Sequence, residues 1–222
     1  MALNINGTTG ISGVDGSVSA PAVTGTDSNT GITFPAADTI KFSTGGVERM
    51  QISNSGVTGT GIGAGIILQV VQTLKSNTAS TTSTSFTDIS GTSVSITPSS
   101  SSNKVLVIAF LGQFVQASDV LYIALTRGDG TGIIQGDTVS GKESVATAAY
   151  HGGNSQGEAY YGANPATIVM LDSPNTTNAV TYKLRWRVNN NSSSAYLNRN
   201  ISDSSQYGIR TATTITAMEV AA

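Results

Sequence analysis

From Tyr182 to Val188 the chain reads YKLRWRV, an unbroken alternation of apolar and cationic side chains. Successive strand residues point to opposite faces, so Tyr182, Leu184, Trp186 and Val188 share one side and Lys183, Arg185 and Arg187 the other. A helix would scatter both sets around its axis. One dry face and one wet face is the signature of an antiparallel strand over a core. Further strand candidates lie at Ile66–Thr73, Phe86–Ile89, Ser93–Thr97, Lys104–Leu111, Val120–Thr126, Thr131–Gln135, Ala166–Leu171, Ala195–Ile201 and Thr211–Val220. Turn clusters divide them, at 98–103, 127–130, 173–178 and 189–194, and no stretch has helical period. Strands punctuated this way predict an all-β, jelly roll-like antiparallel β-sandwich over residues 63–222. Val105 to Leu111 is apolar on both faces and is expected to be a central strand covered on both sides.

Upstream, residues 31–56 read GITFPAADTIKFSTGGVERMQISNSG. Two short alternations, Ile40–Ser43 and Arg49–Ile52, flank Thr44-Gly45-Gly46, which predicts a β-hairpin. Its register puts Ile40, Phe42, Met50 and Ile52 on one face. An isolated hairpin is marginal in water, and its neighbours offer little cover. Residues 1–30 are mostly small and polar, suited either to disorder or to an extended arm that orders against a partner. Residues 53–65 are glycine-rich. Their glycines alternate strictly and no Lys-Ser or Lys-Thr follows, so a linker is favoured over a phosphate-binding loop. The economical cover for the hairpin is other copies of itself. Residues 1–62 are therefore expected to form an N-terminal attachment and oligomerisation arm with a β-hairpin stalk.

The segment GITFPAADTIKFSTGGVERMQISNSG resembles one found near the start of many tail-fibre and other virion proteins of marine bacteriophages. The opening MALNINGTTGISGVDGSVSAPAVTGTDSNT and the closing TATTITAMEV resemble that group too. The resemblance implies a virion structural protein made in the host bacterial cytoplasm. Many such fibres end in a self-cleaving chaperone domain, and none follows here, which favours a short fibre or a capsid-surface protein.

Composition narrows the function. Only 11% of residues are charged, and Ser and Thr make up about a quarter of the chain. Solubility therefore rests on hydroxyls and amides. A net charge of −2 argues against a nucleic-acid partner. With no Cys there are no disulfides, thiolate metal sites or Cys nucleophiles. The start lacks a signal-peptide pattern, and the longest apolar run falls short of a membrane span, so membrane insertion is not expected.

Sites for chemistry are sparse. The single His, His151, sits among glycines with no nucleophile motif, and reads as an exposed loop residue. Gly128-Asp129-Gly130 lacks the ligand spacing of a calcium loop and reads as a turn. Asp119, Asp129, Asp137, Glu143, Glu158 and Asp172 show no spacing that selects a glycosidase pair. No catalytic residue, cofactor or metal is expected. Residues 136–164 form the longest stretch without strand signal, and loops of that length are usually functional. Within it Tyr150, Tyr160 and Tyr161, with Asn154 between them, are candidates to meet a host glycan or protein, since aromatic faces stack on sugars and amides satisfy hydroxyls. The competing role for these tyrosines is packing against a neighbouring subunit.

The expected function is a short trimeric phage fibre presenting its sandwich for host attachment, with the arm binding other virion proteins. Alternatives are a capsid decoration protein and, more remotely, a glycan-degrading tailspike-type enzyme.

Overall fold

The computed structural model describes residues 4–6, 10–12, 15–59, 65–116, 119–137, 139–150, 164–191, 194–206 and 208–222. These residues are all-β, with no helix among them, and every pairing between strands is antiparallel. The chain divides into two compact units, Met1–Ile66 and Ile67–Ala221.

The N-terminal unit holds β1 (Asn4–Asn6), β2 (Gly10–Ser12), β3 (Gly16–Ser17), β4 (Ala20–Pro21), β5 (Val23–Thr24), β6 (Gly31–Ala36), β7 (Thr39–Thr44), β8 (Val47–Ser53) and β9 (Gly56–Thr58). Strands β5 to β9 form one meander in chain order. Its turns follow their residues. Gly45 and Gly46 both adopt positive φ between β7 and β8, the conformation that Gly tolerates without a Cβ penalty. Before β6, the Asp27 carboxylate accepts from the Asn29 N–H and the Thr30 hydroxyl, closing the turn after β5. Part of the expected linker is thus a strand: Val57 pairs with Ile52, and Ser53–Gly56 makes the turn that returns the chain. The glycine-rich composition concealed it because a short edge strand needs only one apolar contact.

The second unit is a jelly roll. Its strands are β10 (Ile67–Lys75), β11 (Ala79–Thr81), β12 (Thr87–Ile96), β13 (Lys104–Leu111), β14 (Phe114–Gln116), β15 (Val120–Arg127), β16 (Gly132–Ile134), β17 (Thr147–Tyr150), β18 (Ala166–Asp172), β19 (Val180–Val188), β20 (Ala195–Leu197) and β21 (Thr213–Val220). One sheet runs β10-β21-β13-β18, and the other runs β12-β19-β15 with β16 and β17 sharing the outer edge of β15. A small sheet, β11-β20-β14, adds to one end. This interleaved order, in which the first strand pairs with the last, is that of a double-sheet jelly roll.

The core lies between the two large sheets. Val105, Val107, Ala109, Leu111, Ile215 and Ala217 meet Leu121, Ile123, Leu125, Leu184 and Trp186 there, all essentially without solvent contact. On β19 the alternation works as read: Tyr182, Leu184, Trp186 and Val188 are buried, and the three cations face out. Outside, Asp88 accepts from Lys183 at 2.8 Å and forms an ion pair with Arg185 at 3.1 Å, while Arg187 lies over the Tyr122 ring at 4.4 Å and pairs with Glu143.

Three readings need correction. The two strands expected at 86–97 are one strand, β12, interrupted by a bulge at which Gly91 takes φ +80. The stretch 136–164 is not free of strands, since Thr147–Tyr150 pairs with Val120–Ile123. And β13 is central but covered on one side only. Val105, Val107, Ala109 and Leu111 are buried, whereas on the outer face Leu106 and Ile108 are half-buried and Phe110 is exposed.

Candidate functional site

Register places the four hairpin residues together. Ile40 stands opposite Ile52, and Phe42 opposite Met50. Directly opposed residues point to the same side of an antiparallel pair, and the meander extends both rows. Val23, Ile32, Phe42 and Met50 form one row across β5 to β8, and Ile40, Ile52 and Val57 a second across β7 to β9. Ile32, Ile40, Phe42 and Met50 are half-buried against one another, while Val23, Phe34, Ile52 and Val57 are exposed.

The opposite face is polar, and it is the covered one. Thr33, Lys41, Gln51 and Thr58 line up across it, and Lys41 donates to Glu48 at 2.6 Å. Thr33 and Ser43 are buried on this side, where Pro21 of β4 is itself buried close to Gly31. So the small N-terminal strands cover the hydrophilic side of the sheet and leave the apolar side open. Sequence reasoning found four of its residues and missed Val23, Ile32, Phe34 and Val57. The alternation Ile32-Thr33-Phe34 carried the signal for two of them.

The recognition candidates fare differently. Tyr150 ends β17, with its backbone opposite Val120. Asn154, Tyr160, Tyr161, His151 and Glu158 lie outside the described residues.

Four of the remaining carboxylates, Asp119, Asp129, Glu143 and Asp172, are held by their own fold. Asp129 accepts from the Thr131 N–H, which fixes the 127–131 turn. Asp119 accepts from Asn189 and Asn190, and Glu143 pairs with Arg187. Asp172 takes a two-pronged ion pair from Arg127, at 3.0 and 2.8 Å, and a 2.7 Å hydrogen bond from the buried Tyr182 hydroxyl. Burial and that bond to a carboxylate push the Tyr182 phenol well above its ordinary value. This trio ties β15, β18 and β19 together across the two sheets. Among the described residues no group of three or more His, Asp or Glu side chains is placed to hold a metal ion.

No protein-family model matches the chain, and no curated protein matches it significantly. Among solved structures it is similar to a mutant VP2 protein of infectious bursal disease virus in derived T=1 particles, at 14% identity and a TM-score of 0.34, covering 94% of this chain and 54% of that one. The Gx strain of the same virus gives 13% identity and a TM-score of 0.34, again over 94% and 54% of the two chains. The chain thus spans about half the length of the solved chains it matches. At that TM-score the superposition carries no conclusion about function or assembly.

Proposed function

We propose that this protein is a structural component of a bacteriophage virion, a short homotrimeric fibre. In this reading the N-terminal unit assembles the copies and joins other virion proteins, and the sandwich meets the host surface. The role is structural rather than catalytic. The observation that carries it is the open apolar face of the β5–β9 sheet. A five-stranded sheet that buries Thr33 and Ser43 on its polar side, and leaves Ile40, Phe42 and Met50 half-buried and Ile52 exposed on its apolar side, lacks its second layer. Sheets bury an apolar face against another element, and copies of the same sheet supply one of matching chemistry. The resemblance of residues 31–56 to marine phage virion proteins supports the same reading.

Two measurements test it. Phe42→Asp places a carboxylate inside the shared seam, where an unpaired charge is strongly disfavoured. Native mass spectrometry should show a trimer for the parent chain and monomer for the variant; an unchanged mass overturns assembly through this face. Immunogold labelling of intact virions with antibodies to the sandwich locates the protein. Label at the tail supports the fibre. Label over the capsid faces replaces the fibre with a decoration role, and unlabelled virions remove the virion reading.

A further inference from the structure

The break in β12 builds a recess on the outside of the sandwich. Asp88 stands opposite Arg185 and Ser93 opposite Lys183, so four residues, Ile89 to Thr92, are set against the single Leu184 of β19. The surplus chain is held at its base. Ile89 and Thr92 are buried, and the Thr92 hydroxyl donates to the Ile89 carbonyl at 2.8 Å. Ser90 and Gly91 are left exposed. Beside them lies a recess of about 590 Å³, with Asp88, Ser90, Gly91, Ser93, Thr181 and Lys183 in its lining. Small-molecule sites occupy about 300–1,000 Å³, and bulges commonly re-aim side chains toward such sites.

The lining selects a chemistry. The Asp88 side chain is 52% exposed, and its two oxygens meet Lys183 at 2.8 Å and Arg185 at 3.1 Å. Behind Gly91, the Lys75 ammonium lies 4.0 Å from the place a Cβ would take. Lys75 is only 5% exposed, and it donates to the Asn77 amide oxygen rather than to a carboxylate. Three cations against one carboxylate leave a local excess of two positive charges, in a chain whose net charge is −2. Water screens a buried cation less than an exposed one. The excess favours an anion. A bare anion such as phosphate would meet the cations and be opposed by the exposed Asp88. Hydroxyl groups can instead donate to Asp88 and exchange hydrogen bonds with Ser90, Ser93 and Thr181. A molecule with one carboxylate and several hydroxyls uses both halves of the lining.

We infer that the recess binds a carboxylated sugar, a uronic acid unit of a host surface polysaccharide. The sugar carboxylate meets the Lys183 ammonium in a charge-assisted hydrogen bond, and neighbouring ring hydroxyls donate to Asp88 and to the two serines. The missing side chain at Gly91 lets the sugar approach the backbone of the bulge. The place of this sugar on a host surface rests on the attachment role proposed above; its binding to the protein does not.

Titration calorimetry on the full chain tests the site, with trimers of galacturonic, mannuronic and guluronic acid as probes and maltotriose and inorganic phosphate as comparisons. At least one acid trimer should bind at least about ten-fold more tightly than either comparison, and added salt should weaken it. Lys183→Gln should lower that affinity at least about ten-fold. Ser90→Glu adds an anion at an exposed position of the bulge and should do the same, which keeps the test open if the first variant folds poorly. Arg210→Gln removes an exposed cation outside the recess and should change nothing. No binding by any acid trimer overturns the inference, as does equal binding of maltotriose or phosphate. Binding that survives both Lys183→Gln and Ser90→Glu overturns it too, since the sugar then sits elsewhere. The virion labelling described above separates site from role. Label at the tail without uronate binding rejects this site and keeps the fibre. Uronate binding with label over the capsid keeps the site and rejects the fibre.

Discussion

Glu219 is a carboxylate only 1% exposed, on the inner side of β21. Burial pushes its carboxyl up, but hydrogen bonds from Asn103, Gln69 and Ser99 outweigh burial and hold it down at about 2, against an ordinary value of 4.5. The clasp ties the 98–103 turn to both β10 and β21. Because the folded value lies below the unfolded one, the stabilisation is complete above about pH 4.5 and is lost as pH falls toward 2. The gap corresponds to about 3 kcal/mol. Urea unfolding at a series of pH values should therefore show stability level near neutrality and declining below pH about 4.5. Glu219→Gln should remove about 1–3 kcal/mol at pH 7 and flatten that decline. A variant with the parent's acid slope rejects the clasp as its source.

Among the strands, Gly91 decides how β12 runs. The strand pairs with β19 on both sides of its bulge, and the bulge turns on a residue at φ +80. The space beside Gly91 is ordinary, with a Cβ meeting only the Lys75 side chain at 3.9 Å, so backbone strain alone sets the cost of a substitution. Gly91→Ala should cost about 1–2 kcal/mol, which lowers the sandwich Tm by roughly 2–8 °C; calorimetry measures it. A larger loss would mean that the side chain, and not φ, is at fault. The strands missed in the sequence share a reason. Ala79-Ser80-Thr81 and Thr147-Ala148-Ala149-Tyr150 carry almost no alternation, and each exists because a distant strand, β20 or β15, offers it an edge. Their existence is a non-local fact.

The two units have different resources. The sandwich buries a contiguous core within one chain, whereas the N-terminal sheet keeps its apolar rows open. A unit stabilised by its own core melts independently of concentration, and one stabilised by association does not. Thermal unfolding of the full chain should accordingly show an N-terminal transition that moves to lower temperature on dilution. The sandwich transition should not move with concentration. Two transitions both insensitive to a hundred-fold dilution would reject association through the N-terminal sheet.

The all-β class, the inward set on β19 and the shared face of Ile40, Phe42, Met50 and Ile52 were legible in the residues alone. Period-two alternation and Gly-Gly turns are local and mark strands and hairpins wherever the chain folds, but a bulge between Phe42 and Ser43 sets the final register of β7 on β8. Strand order was not legible, because β10 finds β21 and β12 finds β19 across most of the sandwich's length, and nothing in a strand's own pattern names its neighbour. Nor was the side of each sheet left open. The sequence shows that a face is apolar; only the tertiary structure decides whether the same chain covers it. On β13 it buries Val105, Val107, Ala109 and Leu111 on one side and leaves Phe110 exposed on the other, a division that the apolar run Val105–Leu111 does not reveal.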